Sequence, residues 1–304
     1  MKILVPDQMT PASLDWMAAH HQVVHAPSLW SDEAALLGAA ADADAIIVRN
    51  RIQVRGELLA ALVRCRVVGR LGVGLDNIDL DGCAARGIEV IPAVGANARA
   101  VAEYVIAAAM ILLRPWCVAS PATLAGGWPR GALAGGRETA GKTLGIVGFG
   151  SIGRETARLG AALGMRVIAC DSPIAHGVHE GGIHVSRFDE VIAASDVLSL
   201  HVPLAESTRG LIDARSIAAM KPGAIVINAA RGGIVDETAL ADALRRGHLG
   251  GAALDVFAAE PLAAGSVFDG VPNLLLTPHI AGLTEESETR VCELVSRRVV
   301  DALR

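Results

Sequence analysis

Short runs of β-branched and other apolar residues recur along the chain, separated by longer segments rich in alanine and leucine. KILVPD, VVHA, DAIIV, RVVGRLG and GIEVIPA alternate with stretches such as SDEAALLGAAAD (31–42) and GELLAALVR (56–64). Strands that alternate with helices predict a parallel sheet covered by helices on both faces. The first ~93 residues therefore read as one α/β domain. The pattern repeats from 143 to 279 in TLGIVGFG, RVIACD, SDVLSLHVP, AIVINAA, GAALDVF and NLLLTPH, with helical segments at 151–163 and 236–246. This predicts a second α/β domain.

Between the two, NARAVAEYVIAAAMILLRP predicts one helix from about Asn97 to Leu113, ended by Pro115 and bridging the domains. The Gly- and Pro-rich stretch SPATLAGGWPRGALAGGRETAGK (120–142) reads as a loop or arm. Packing of the helix and arm could serve a closed two-fold dimer. Near the carboxyl end, Val291, Leu294, Val295, Val299 and Ala302 recur at helical spacing. That helix could lie on either domain.

Length and composition narrow the classes. A chain of 304 residues exceeds what one hydrophobic core usually serves. Residues of the AVILMFWYC set make up 52% and aromatics only 3%, so the cores must be aliphatic, as buried parallel strands are. A net charge of −5 without blocks of like charge argues against a nucleic-acid partner. Cys65, Cys83, Cys117, Cys170 and Cys292 are odd in number and scattered, as expected of free thiols in a reducing compartment, here the cytoplasm. MKILVPDQMT lacks the apolar run of a signal peptide. The longest apolar stretch, Val101 to Leu113, is interrupted by Glu103 and falls short of the ~20 residues a bilayer span needs, so no membrane association is expected.

Gly148, Gly150 and Gly153 form G-x-G-x-x-G after an apolar strand, with Ser151 and Ile152 opening the next helix. The first glycine permits a tight turn, the second lets a diphosphate approach the backbone, and the third lets helix and strand pack closely. Such a pattern alone also occurs in structural turns. Here Asp171 follows at the end of the next strand, where a carboxylate can bind a ribose 2′-hydroxyl and repel a 2′-phosphate; it could otherwise cap the following turn. The cofactor expected is NAD. Downstream, Arg231, Glu260 and His279 fall at the carboxyl ends of predicted strands, where open α/β sheets place ligands. Oxidation of a 2-hydroxy acid needs a carboxylate ligand, a base for the hydroxyl proton and a group to orient that base, and these three supply the set. Singly, His279 could be a satisfied core histidine, and Arg231 and Glu260 a surface pair. His176, His179 and His184 lie close in sequence without a cysteine partner, and no metal is expected there.

Stretches along essentially the whole chain resemble the D-isomer-specific 2-hydroxyacid dehydrogenase family: VVGRLGVGLDNIDL (67–80), NARAVAEYV (97–105), GKTLGIVGFGSIGRE (141–155), LHVPLAESTRGLI (200–212), MKPGAIVINAARGGIVDETAL (220–240), GAALDVFAAEP (251–261) and TPHIAGLTEES (277–287). The resemblance implies two Rossmann-like doubly wound parallel-sheet α/β domains with a cleft between them. The NAD-binding domain (96–282, with a dimerisation helix and arm at about 97–140) would be inserted in a substrate domain of residues 1–95 and 283–304. It further implies Arg231 as the substrate-carboxylate ligand, Glu260 as partner of the base and His279 as the acid/base. Val73 and Gly74 in LGVGLDN would offer backbone N–H groups to that carboxylate. His201, Pro203, Thr208, Ala229, Asp255 and Gly282 would line the cofactor, Asp255 facing the carboxamide. Many relatives read PHIG or PHLG where this chain has His279-Ile280-Ala281-Gly282.

Five arginines, Arg49, Arg51, Arg70, Arg99 and Arg130, exceed what lactate chemistry requires. Arg51, Arg70 and Arg130 resemble positions at which relatives acting on 3-phosphoglycerate place cations. The resemblance is strongest to the sulfolactate and phosphoglycerate dehydrogenase branch, and the two substrates stay level. The alternatives are glyoxylate/hydroxypyruvate reduction and a non-catalytic NAD-binding sensor.

Overall fold

The computed structural model describes residues 1–114, 116–172, 174, 176–179 and 182–304, leaving out the side chains of 117 and 118. Pro115, expected to end the bridging helix, and Glu180 and Gly181 of the histidine-rich stretch lie outside the described residues. Two units emerge, Met1–Asn97 with Leu283–Arg304, and Ala98–Gly282. The first crossing falls two residues beyond the expected position. Ala96 is buried in the first unit's core, and its carbonyl accepts from Arg290 Nε at 2.9 Å.

The first unit runs β1 (Lys2–Val5), α1 (Pro11–Ala18), β2 (Gln22–His25), α2 (Glu33–Ala40), β3 (Ala45–Val48), α3 (Gly56–Ala61), β4 (Val67–Arg70), α4 (Leu80–Ala85) and β5 (Glu89–Pro92). Its parallel strands lie in the order β2-β1-β3-β4-β5. The carboxyl-terminal helix, α11 (Glu285–Ala302), belongs here. It begins where Thr284 Oγ1 accepts from Ser287 N, and it buries Val291, Cys292, Val295, Val299 and Val300. Gly69 on β4 explains the close fit, since a Cβ there would lie 2.8 Å from Val295 Cγ1 and Val299 Cγ2.

The second unit opens with α5 (Ala98–Leu113) and α6 (Ser120–Leu124). It continues β6 (Thr143–Val147), α7 (Ser151–Ala162), β7 (Arg166–Cys170), β8 (Gly177–Val178), β9 (His184–Val185), α8 (Phe188–Ala194), β10 (Val197–Leu200), α9 (Ala214–Ala219), β11 (Ala224–Asn228), α10 (Glu237–Arg245), β12 (Leu249–Leu254) and β13 (Leu274–Leu276). The sheet order is β13-β12-β11-β10-β6-β7-β9-β8. The chain leaves β6 toward one edge and restarts beside it at β10, the reversal at which open α/β sheets bind ligands. Val101, Val105, Ala108, Ala109 and Leu113 of α5 join the core under β6 and α7.

The structure departs from the sequence pattern at four places. The 176–184 stretch, to which the sequence pattern assigns no element, contains β8 and β9, and the latter extends the sheet beside β7. The short helices α8 and α9 and the single-turn α6 also lie outside the expected set, being too brief for a 3.6-residue period to register. Among the described residues no helix is long and apolar enough to cross a membrane, and no three His, Cys, Asp or Glu side chains are grouped to hold a metal ion. Cys65, Cys83, Cys170 and Cys292 are free and buried. Burial pushes the Cys65 and Cys170 thiols up to about 11 and about 12, which leaves them unreactive at neutral pH.

Candidate active site

The glycine turn follows β6 at the switch point. Gly148 has φ +95°, and a Cβ there would meet the His201 carbonyl oxygen at 2.7 Å, so only glycine lets the turn pass the end of β10. A Cβ on Gly153 would fall 2.2 Å from Gly148 O, so this glycine brings α7 against the turn. Gly150 borders open space, and no side chain among the described residues caps the amino end of α7. The first N–H groups of α7, at Ser151 and Ile152, are left to an anion, and the arrangement fits the diphosphate of a dinucleotide. Asp171 stands at the end of β7. Its Oδ2 accepts from Phe149 N at 2.6 Å, which ties the glycine turn to the neighbouring strand. His201 N donates to Val147 O at 2.7 Å, and its Nε2 shares a hydrogen bond of 2.9 Å with Ser199 Oγ. Burial pushes the His201 imidazole down to about 4, so it is neutral at physiological pH.

Arg231, Glu260 and His279 follow β11, β12 and β13, three strands that lie side by side at one end of the sheet. His279 Nδ1 lies 2.9 Å from Glu260 Oε2. A carboxylate only accepts, so Nδ1 is the donor and Nε2 is left as the ring atom able to exchange a proton. Glu260 is itself fixed, because its Oε1 accepts from Phe257 N at 3.0 Å. The same loop is held from α10, where Glu237 Oε1 accepts from Ala258 N at 2.6 Å. The Arg231 turn is shaped by Asn228, 1% exposed, whose Nδ2 donates to Arg231 O at 2.9 Å while its Oδ1 accepts from Ala230 N at 3.1 Å. Arg231 Nη1 donates to Ala230 O. A Cβ on Gly232 would fall 1.8 Å from Phe257 O, so the Arg231 turn and the Glu260 loop are in direct backbone contact. His279 has φ +57°, a left-handed conformation that costs a residue with a side chain roughly 1–3 kcal/mol and persists only when its surroundings impose it.

Other expected residues take different parts. Asp255, expected to face the carboxamide, is 1% exposed and uses both carboxylate oxygens within the protein, on Thr277 Oγ1, Ile280 N and Ala281 N. Thr208, expected to line the cofactor, closes its own turn: its hydroxyl donates to Pro203 O at 2.6 Å and accepts from Ala205 N at 2.8 Å. Ala229 and Gly282 are half-buried, whereas Ala281 is buried in the core. The arginines sort by their partners. Arg49 pairs with Glu288 and lies near Asp7, and Arg99 pairs with Glu103 and Glu155, so these two charges are already matched. Arg51 stacks on Trp30 with its guanidinium carbon 4.8 Å from the ring centroid. Arg70 folds over Gly72, donating to Leu71 O at 2.8 Å, beside half-buried Val73 and Gly74. Arg130 is exposed. Asn228, Glu237, Tyr104 and Thr277 were not singled out from the sequence. The available signal was a polar residue at a buried strand end, as with Asn228 after AIVI.

Residues 106–281 match the family model for the NAD binding domain of D-isomer specific 2-hydroxyacid dehydrogenases. The chain is 48% identical over 303 residues to an (S)-sulfolactate dehydrogenase of Chromohalobacter salexigens, covering 99% of this chain and 98% of that one. It is 41% identical over 273 residues to the D-3-phosphoglycerate dehydrogenase of Mycobacterium leprae, covering 90% of this chain and 51% of the relative, so it spans about half the length of that enzyme. The crystal structure of a glyoxylate reductase from Paecilomyes thermophila superposes with a TM-score of 0.88 at 31% identity, covering 100% of this chain and 95% of that one. The glycine turn at the switch point, the bonded His279–Glu260 pair and these likenesses have one origin: the chain belongs to the D-isomer specific 2-hydroxyacid dehydrogenase family of NAD-dependent oxidoreductases.

Proposed function

We propose that the protein interconverts a D-2-hydroxy acid bearing a second anionic group at C3 and the corresponding 2-keto acid, with a sulfonate as the favoured anion and a phosphate as the second reading. The single observation that carries the chemistry is the 2.9 Å bond from His279 Nδ1 to Glu260 Oε2 beside the Arg231 turn. The nicotinamide of bound NAD would supply the hydride acceptor in oxidation and, as NADH, the hydride donor in reduction. His279 Nε2 takes the hydroxyl proton in oxidation and gives it back in reduction, while Glu260 holds the ring in the required tautomer. Arg231 offers a planar fork to the substrate carboxylate, with Val73 and Gly74 as its backbone donors. The Gly148–Gly153 turn would hold the diphosphate of the cofactor. Arg51, Arg70 and Arg130 are the cations assigned to the second anion; Arg49 and Arg99 are set aside because acids already neutralise them. The sulfonate is favoured by the 48% identity to a sulfolactate dehydrogenase over nearly the full length of both chains.

The test is NADH oxidation against sulfopyruvate, 3-phosphohydroxypyruvate, hydroxypyruvate, glyoxylate and pyruvate. A charge-assisted hydrogen bond from one guanidinium to a C3 anion is worth about 1.5–3 kcal/mol, which corresponds to a preference of about 10–100-fold in kcat/KM over hydroxypyruvate. Equal kcat/KM on all five acids would remove the cationic-pocket reading, and a preference for glyoxylate would replace it.

Asp171 is assigned the ribose hydroxyls and the choice of NAD over NADP. Asp171→Asn keeps an oxygen to accept from Phe149 N but removes the charge. It should lower the NADH/NADPH preference in kcat/KM by about tenfold or more, the scale of one charge-assisted hydrogen bond. An unchanged preference would restrict Asp171 to holding the turn. We also assign the protein to the cytoplasm, supported by its free cysteines Cys65, Cys83, Cys170 and Cys292, and propose a homodimer, supported by exposed Met110, Trp116, Leu124 and Trp128 on α5 and the segment that follows.

A further inference from the structure

His279 occupies a backbone conformation that a side chain disfavours, so its neighbours must impose it. Asp255 supplies most of the restraint. Its carbonyl accepts from His279 N at 2.8 Å, its Oδ1 from Ile280 N at 2.8 Å, and its Oδ2 from Ala281 N at 2.8 Å. One residue thus grips three consecutive N–H groups, starting at His279 itself.

The chain of bonds continues away from the turn. Thr277 Oγ1 lies 2.6 Å from Asp255 Oδ1 and 2.7 Å from Tyr104 OH. A carboxylate has no proton to give, so the Thr277 hydroxyl must spend its only hydrogen on Asp255. Its oxygen then accepts, and Tyr104 is the donor. The direction of every bond from Tyr104 through Thr277 to Asp255 is therefore settled by donor count. Tyr104 stands on α5, part of the core beneath the sheet, so it anchors the turn to the rigid interior of the unit.

We propose that Tyr104 and Thr277 are positioning residues for proton transfer: with Asp255 they form a one-directional brace that holds His279 in its left-handed conformation and aims its ring at Glu260 and the substrate oxygen. This rests on the acid/base role of His279 given above. The brace touches neither Nε2 nor Glu260, and it acts only through the backbone of residues 279–281. Removing one link loosens the aim of the imidazole while leaving the nucleotide turn at 148–153 intact.

The test uses Tyr104→Phe, Thr277→Val and Thr277→Ser in the full chain, each also combined with His279→Asn. It is assayed with NADH and the keto acid of the panel that turns over fastest. Tyr104→Phe should lower kcat about three- to tenfold and Thr277→Val about tenfold or more, as expected for one and two lost hydrogen bonds, with KM and the NADH dissociation constant within about twofold. Thr277→Ser, which keeps the hydroxyl, should restore the wild-type kcat. Hydrogen exchange of the 277–282 amides should quicken in Thr277→Val and not in Thr277→Ser. In the His279→Asn background neither Tyr104→Phe nor Thr277→Val should reduce the residual rate further, because the residue they position is gone. Equal losses in both backgrounds, a weakened NADH affinity that accounts for the whole loss, or an unchanged kcat would each overturn the brace. A His279→Asn enzyme that keeps more than about a hundredth of the rate would instead overturn the acid/base assignment on which the brace depends.

Discussion

Replacing His279 with alanine is expected to lower kcat for keto-acid reduction by at least about 10²-fold, within the 10²–10⁴-fold that a positioned general acid or base contributes. The expectation follows from the donor count at Glu260, which accepts from His279 Nδ1 at 2.9 Å and leaves Nε2 as the atom that faces chemistry. Because His279 sits at φ +57°, alanine also changes the ease with which the turn is held. Asparagine tolerates that conformation well, so His279→Asn removes the imidazole and keeps the backbone. The two variants should fall together. Glu260→Gln retains an acceptor oxygen for Nδ1–H and loses only the charge, so about a tenfold loss is expected, the scale of weakening one charge-assisted bond. Steady-state rates with saturating NADH, with bound NADH checked by fluorescence, decide the matter. An alanine enzyme that keeps more than about a hundredth of the wild-type rate would end the acid/base assignment.

The second large effect is expected far from any ionisable group. A Cβ at Gly232 would lie 1.8 Å from Phe257 O, 2.1 Å from Phe257 C and 2.7 Å from Ala258 N, all backbone atoms that have no rotamer to yield. In Gly232→Ala the Arg231 turn and the loop bearing Glu260 must therefore part by more than about 1 Å, and a misplacement of that size can cost about 10²-fold in rate. The loss should appear in kcat/KM for the keto acid. NADH binding should persist, because the glycine turn at 148–153 lies elsewhere on the sheet. Overpacking of this kind also costs about 1–3 kcal/mol of stability, measurable as a lower denaturant midpoint. A Gly232→Ala enzyme within threefold of wild type in kcat/KM would show that the contact between the two loops has no part in aligning Arg231 and Glu260.

Several features were legible because they are local. The G-x-G-x-x-G spacing, the β-branched runs and the long apolar helix α5 each declare themselves within about twenty residues. The three catalytic candidates were legible as residue types at strand ends and from the family resemblance. Their order in space, β11 beside β12 beside β13, comes from strand pairing alone.

Other features depend on partners distant in the chain. Arg49 and Arg51 are separated by one residue, yet one is neutralised by Glu288 and the other lies on the face of Trp30. Asp255 reads as a strand-end acid available to a ligand, and the folded chain turns it inward onto the 277–281 backbone. Gly69 lies within β4. It is where α11, more than two hundred residues later, approaches the sheet.

What the amino-acid order determined by itself is the alternation of strands and helices and the glycine-rich turn after β6, because each follows from neighbours within one element; the proton-moving candidates were marked by the family resemblance. What only the tertiary structure decided is which polar groups are already satisfied. Hydrogen bonds and ion pairs have a reach of a few ångströms, and residues that far apart in space, such as Tyr104 and Thr277 or Arg49 and Glu288, carry no mark of one another in the sequence.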